Sequence, residues 1–331
     1  MKIDRRTLLA GLVSSLPAAD VPARVRVLIV GTEGHTSEVQ DPAKEHSQIE
    51  ILETVKGNQD YGARLDALKP DVVAVCTDDG KRAAVILACV ERGIPFIAEK
   101  PFAKRLEDLA RIRQGVERRN LKMTIMLPLR FTPHFQALRQ IVASGEIGEV
   151  AQIAGQKSYR QGDPGWKDRA ESFSGIIPWV GIHMLDLMRW TSGREFVEAA
   201  SFQSRIAHPE IGVRENTAAV LMRLDNGGVA TLRMDYLRPN TASTHADDRL
   251  RLAGTKGVAE YQPATGVTVM SANGELRPVK SLPPEKSLFL EFLKHLYHGA
   301  PEPITRADIF RVNEIVLKAR DAANSSRVIR L

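Results

Sequence analysis

The sequence predicts an α/β protein of two domains, a parallel-sheet domain followed by an α+β domain whose sheet is open and mainly antiparallel. Three observations lead there. Short β-branched runs bracket helical segments up to about residue 127, the hydrophobic period then changes to alternation, and Asp225-Asn226-Gly227-Gly228 joins two alternating runs as a hairpin would. At 331 residues the chain also exceeds the roughly 250–300 residues beyond which single cores divide.

Taken in order, VRVLIVG (25–31) and DVVAVCT (71–77) have the length and composition of buried parallel strands. Between them DPAKEHSQIEILETV (41–55) reads as one helix, with Asp41 as cap and Pro42 at the first helical position. On that reading a strand–helix pair is missing between Gly31 and Asp71, and only a short helix within NQDYGARLDALKPD precedes the second strand. A helix over 81–92, stopped by Gly93, leads to IPFIAE (94–99), which completes a strand–helix–strand unit of a parallel sheet. A helix over 104–119 and the strand LKMTIML follow. Beyond them an amphipathic helix over 133–144 ends before Gly145 and Gly148. Half-buried strand patterns then recur in VAQIAGQKSY, EFVEAASFQSRIA, NTAAVLMRLD, GVATLRMDY, DRLRLAG, GVAEYQ and GVTVMS, with helices over 179–191, 285–298 and 305–324. The expected domains are 25–127 and 128–331.

Composition narrows the function classes. The net charge of +6 comes from basic residues interleaved with acids, and aromatics are only 5%, so neither a phosphate-tracking stripe nor a base-stacking surface is present and nucleic-acid binding is not expected. Cys76 and Cys89 lie in apolar contexts and read as buried thiols, with no metal-ligand cluster and no disulfide framework. No stretch has the eighteen or so apolar residues of a membrane span. Residues 1–24 read as a leader: Arg5-Arg6, a short apolar run from Leu8 to Leu16, then Pro17-Ala18-Ala19, similar to a twin-arginine export signal and implying a periplasmic protein. A short amphipathic arm on a cytoplasmic protein is the alternative.

Two stretches carry chemistry. In IAEKPF (97–102) Lys100 ends a parallel strand and precedes Pro101, which biases it to extended backbone and aims it into the crevice where open α/β sheets bind ligands. An amine there can stabilise a developing alkoxide or relay a hydroxyl proton. In GIIPWVGIHMLDLMRWTSG (175–193) His183 and Asp186 fall on nearly one helix face, and an imidazole suits proton transfer near neutral pH.

With the parallel-sheet domain before them, the Glu99-Lys100-Pro101 tripeptide and the G-x-H-x-x-D segment resemble the GFO/IDH/MocA family of NAD(P)-dependent oxidoreductases, from about residue 25 to the C-terminus. The resemblance implies a Rossmann-like domain holding NAD or NADP, a second domain covering a sugar, polyol or related hydroxy compound, and a homodimer or homotetramer formed through the antiparallel sheet. It gives Lys100 and His183 the catalytic roles, with Asp186 supporting His183. Gly31, Gly34, His35, Thr77, Glu99, Lys100 and Pro101 would face the cofactor; Lys100, Arg130, Asp163, Trp166, Trp179 and His183 would face the substrate.

The sequence departs from the family pattern in four places. Trp179 stands where many members carry an Asp four residues before the His, and an indole accepts no proton; Trp166 and Trp179 would instead wall an apolar pocket. In GTEGHT, Glu33 and Thr36 replace the second and third glycines of G-x-G-x-x-G, leaving His35 as a substitute phosphate donor. Asp78, Asp79 and Arg82 replace the usual Pro, Asn and His, and the missing strand would take the ribose-binding carboxylate with it. A family-like protein without dinucleotide binding, acting as a carbohydrate-binding scaffold or a non-redox acid–base enzyme, is therefore the second reading.

Overall fold

A computed structural model describes residues 22, 24–56, 59–162, 165–206 and 214–331. Residues 1–21 and 23 of the leader, and Asp163, lie outside the described residues.

The first domain is a parallel sheet of β1 (Val25–Val30), β2 (Ile49–Val55), β3 (Val72–Val75), β4 (Phe96–Ala98) and β5 (Met123–Ile125). The order β2-β1-β3-β4-β5 reverses direction at β1, creating a crevice at the carboxyl ends of β1 and β3. Helices α1 (Ser37–Glu45), α2 (Tyr61–Leu68), α3 (Asp79–Arg92) and α4 (Leu106–Arg119) make the connections. Their caps follow ordinary chemistry: Asp60 and Asp78 accept the N–H of Ala63 and Lys81, and Gly93 ends α3 at φ 68°.

Residues 41–55 are not one helix. α1 begins at Ser37, carries Pro42 inside it and stops at Glu45, and Ile49–Val55 pairs in parallel with β1 from Val25↔Ile49 to Val30↔Val55. Pairing passes over Leu52 at a register shift. The strand beside β1 is therefore present, contrary to the expectation that it was lost. Its tip carries Val55 and Lys56 rather than a carboxylate, and Glu53 is engaged by Arg64.

The second domain opens with α5 (Pro133–Ala143), β6 (Val150–Arg160) and α6 (Ile182–Ser192). It continues through β7 (Phe196–Ser204), β8 (Thr217–Leu224), β9 (Val229–Arg238), β10 (Ala246–Gly254), β11 (Gly257–Gln262), β12 (Gly266–Met270) and β13 (Leu276–Pro278). It closes with α7 (Leu288–His298), α8 (Arg306–Ser325) and β14 (Ile329–Arg330). Nine strands form one sheet in the order β13-β12-β11-β10-β6-β9-β8-β7-β14, antiparallel except for the β6–β9 pair. The hairpin turn at 225–228 is present, with Leu224 N–H on Gly228 O at 2.8 Å and Gly227 at φ 85°.

Alternation along β8 and β9 buries one face and leaves the other open. Helix α6 packs on β6, where Gly155 has no room for a Cβ against Met184 and Met188. Helix α8 touches α4, β5 and β7, and its fully buried Asn313 accepts the N–H of Phe102 at 2.7 Å. That bond ties the turn after β4 to the second domain.

Candidate functional site

The site is built where β4 runs out. Glu99 and Lys100 follow its last residue, both buried, and the Lys100–Pro101 peptide is cis. Arg82 fixes this turn from below: it donates to Pro101 O at 2.8 Å and to Thr77 O, and pairs with Asp79 at 2.7 Å with both side chains fully buried. Asp79 in turn accepts Ser174 N–H at 2.9 Å, holding the start of α3 against the segment that leads into α6. The sequence singled out Asp79 and Arg82 only as departures; their spacing of three on a helix was the available signal for a pair.

Lys100 is 1% exposed, and its amine donates to Trp179 O at 2.9 Å and lies 3.5 Å from the centre of that indole. Burial, helped by Arg82 and Lys167 and resisted by Glu99 and Asp79, pushes the amine down to about 7. Trp179 belongs to a π-helical turn, Ile177–Gly181, that delivers the chain into α6. Trp166 meets Trp179 edge-on, with ring centroids 4.8 Å apart, so the two indoles pack on each other.

His183, on the first turn of α6, is 2% exposed, and neither ring nitrogen has a hydrogen-bond partner. Burial first, then the positive charges of Lys100, Lys157 and His35, push its pKa well below the usual imidazole value. It is a neutral group with two unused nitrogens, close enough to Lys100 to feel its charge.

Asp186 does not support it. Its two oxygens accept from Arg130 at 2.5 and 2.7 Å, and Arg130 also bonds Asp308 at 3.2 Å. Arg130 and Asp186 are both buried, so this pair is structural and Arg130 is spent on it rather than on a substrate. The separation of 56 residues left no local sequence signal.

His35 differs from expectation too. Its backbone N–H and its Nδ1 (2.6 Å) both meet Glu99 Oε1, and its ring lies edge-on to His183 with centroids 5.1 Å apart. Its side chain is thus engaged by Glu99 and stands against His183. Burial would raise the Glu99 carboxyl, but His35, Lys100 and Arg82 overcome it and hold the group at about 2. Glu99 also explains Gly34: a Cβ there would stand 2.3 Å from the carboxyl group, at φ 73°.

The sequence missed a further arm from the second domain. Lys157 and Tyr159 share the face of β6 that meets α6; Lys157 bonds Asp248 of β10 at 2.6 Å, while Asp248 Oδ1 is buried without a partner. Strand alternation alone cannot mark one inward lysine as a neighbour of His183.

A cavity of about 470 Å³ opens at the carboxyl ends of β1, β2 and β3, lined by Gly31, Thr32, Glu33, Val55, Thr77 and Trp166 among others. One feature fits a dinucleotide: the buried Thr77 hydroxyl at the cavity has no partner. Gly31 (φ 94°) is a glycine because a Cβ there would meet Cys76 O, just beyond β3, at 2.2 Å. Lys81 and Arg169 add cations to the lining, against the carboxylates of Glu33 and Asp78. Among the described residues no cluster of three metal-ligating side chains exists, and no helix is long and apolar enough to cross a membrane.

Residues 25–126 match the oxidoreductase family's NAD-binding Rossmann fold and residues 135–260 the GFO/IDH/MocA C-terminal domain. The chain is 30% identical to a provisionally assigned oxidoreductase of Thermotoga maritima, superposing with a TM-score of 0.86 over 93% of this chain and 100% of that one. It is 26% identical over 219 residues to inositol 2-dehydrogenase 2 of Saccharopolyspora erythraea, spanning 65% of this chain and 61% of that protein. With D-apiose dehydrogenase of Rhizobium rhizogenes the identity is 24% over 276 residues, 78% of this chain and 79% of the relative. The chain belongs to the GFO/IDH/MocA oxidoreductase family.

Proposed function

We propose that the protein is an NAD(P)-dependent oxidoreductase acting on a carbinol of a sugar, polyol or related hydroxy compound. The observation that carries this reading is Lys100: a buried amine just past the end of a parallel strand, bonded to Trp179 O and near enough to the buried His183, both of whose nitrogens are unused, to lower its pKa. The inositol and apiose dehydrogenases among its relatives support the substrate class.

Gly31, Thr77 and the cations Lys81 and Arg169 would hold the pyrophosphate and ribose of the dinucleotide along the cavity. When bound, the nicotinamide supplies the hydride acceptor. Lys100, uncharged in part at neutral pH, takes the substrate hydroxyl proton as the alkoxide develops. His183 donates or accepts one hydrogen bond to the same or the neighbouring hydroxyl and so fixes which carbinol faces the cofactor. The Trp166–Trp179 wall excludes water beside Lys100.

The proposal extends to organisation. Residues 25–127 form the cofactor domain and 128–331 the substrate domain. The open face of the nine-stranded sheet, where Phe202 is 73% and Leu221 51% exposed, is the surface through which copies pair into a dimer or tetramer. The Arg5-Arg6 stretch supports export to the periplasm.

Glu33 at the cavity favours the second reading, a cleft that has given up dinucleotides. Absorbance at 340 nm on mixing the protein with NAD⁺ or NADP⁺ and a panel of sugars and polyols tests the proposal. Growth of the signal with wild type and its loss in Lys100→Met support it; a flat trace with every substrate removes it.

A further inference from the structure

We propose that His35 is the proton relay between the buried Lys100–His183 centre and solvent, with Glu99 setting its tautomer. The relay rests on the oxidoreductase reading above. Oxidising a carbinol breaks its O–H and C–H bonds and forms C=O; the hydride pair reduces an oxidised nicotinamide, and one proton is left that must exit the protein. Lys100 and His183 are each almost fully buried, so neither can pass that proton to water by itself.

His35 bridges the gap. Its side chain is 29% exposed, while its ring stands edge-on to His183 at 5.1 Å between centroids. Its Nδ1 lies 2.6 Å from a carboxylate oxygen that has no exposure at all. Glu99 is held ionised and can only accept, so Nδ1 carries the hydrogen and donates, which leaves Nε2 as the acceptor of the neutral ring. A proton leaving the Lys100–His183 centre binds His35 Nε2, directly or through one water; the imidazolium so formed remains paired with Glu99, and Nε2 then releases the proton to solvent. The same carboxylate also receives the His35 backbone N–H, which fixes the ring's position from two sides.

The surroundings suit a shuttle. His183 faces Lys100 after β4, Lys157 on β6 and His35, all of which oppose a lasting positive charge on it. His35 has the Glu99 carboxylate on its Nδ1, and Glu38 at the start of α1 lies nearby. Positive neighbours surround His183, whereas His35 has a carboxylate on its Nδ1 and reaches solvent.

Two measurements decide it. Long-range ¹H–¹⁵N spectra of the cofactor-free chain labelled on histidine nitrogens should show His35 as the Nδ1–H tautomer, with the His183 resonances shifting at the His35 titration midpoint and Glu99→Gln abolishing the tautomer preference. An Nε2–H tautomer, or two histidines that titrate independently, overturns the relay. In turnover, His35→Gln keeps a donor for Glu99 but cannot carry a proton; kcat for alcohol oxidation should fall roughly a hundredfold near neutral pH and recover on adding imidazole, with KM changed less than about twofold. An unchanged kcat and pH profile, or a loss that imidazole does not restore in a variant with unaltered thermal midpoint, overturns it equally. Should His35→Gln not fold, His35→Asn takes its place. If the wild type oxidises no sugar or polyol, the oxidoreductase reading fails, while the nitrogen spectra still decide whether the two imidazoles are coupled.

Discussion

The amine of Lys100 lies 3.5 Å from the centre of the Trp179 ring and donates at 2.9 Å to that residue's own carbonyl. A π face and a neutral oxygen are its direct neighbours, and the more distant pull of Glu99 and Asp79 does not offset its burial. Burial therefore prevails, and Lys100 titrates near 7 instead of its ordinary 10.5. Burial beside Trp179 thus leaves a lysine that can act as the base itself.

The first prediction concerns pH. Because the uncharged amine is the active form, kcat/KM for alcohol oxidation should rise as pH passes about 7 and level off above it. Lys100→Met should lower kcat by roughly 10²–10⁴-fold and abolish that rise. Stability follows the same linkage. Between about 7 and 10.5 the unfolded chain binds more protons than the folded one, so the destabilisation caused by this group is complete below 7 and fades as pH rises. Lys100→Met should accordingly raise the thermal midpoint more at pH 6 than at pH 9, which differential scanning calorimetry can read.

Arg130 and Asp186 should behave as a structural pair. Removing Arg130, as in Arg130→Met, leaves the buried Asp186 carboxylate without its partner and should cost about 3–5 kcal/mol in denaturant unfolding, whereas Asp186→Ala should cost less because Asp308 still faces Arg130. An apolar double replacement should recover much of that loss, and surviving Asp186→Ala protein should keep the wild-type pH midpoint for turnover.

Glu33 lines the cavity in which phosphate would sit. One like-charge contact in water-like surroundings is worth about 1 kcal/mol, a factor of roughly five in affinity. Glu33→Gln should therefore tighten NADH or NADPH binding about fivefold, measured by calorimetric titration, and the gain should shrink at high salt.

Exposed Phe202 and Leu221 predict the assembly. Phe202→Glu combined with Leu221→Arg should reduce the mass seen by light scattering to that of one chain while leaving far-ultraviolet circular dichroism unchanged.

Elements with strong local patterns could be read directly. VVAV and the helix that ends at Gly93 gave the strand–helix–strand unit, because a doubly covered strand is apolar throughout and a left-handed glycine stops a helix sharply. IEILETV was misread for a physical reason: β2 is an edge strand, and Glu50 and Glu53 on it fall at helix spacing beside Ile49, Leu52 and Thr54. Lys100 and His183 were identifiable by motif. Their true neighbours were not, because Glu99 with His35, Arg130 with Asp186 and Lys157 with Asp248 meet across 64, 56 and 91 residues. Only the folded chain shows which charge neutralises which.

A fluorescence titration of the purified protein with NADH and NADPH tests the central claim most directly. The cavity beside Gly31 and Thr77 predicts saturable binding of at least one of the two. Absence of saturable binding by either nucleotide, in protein with an intact thermal transition, would contradict it.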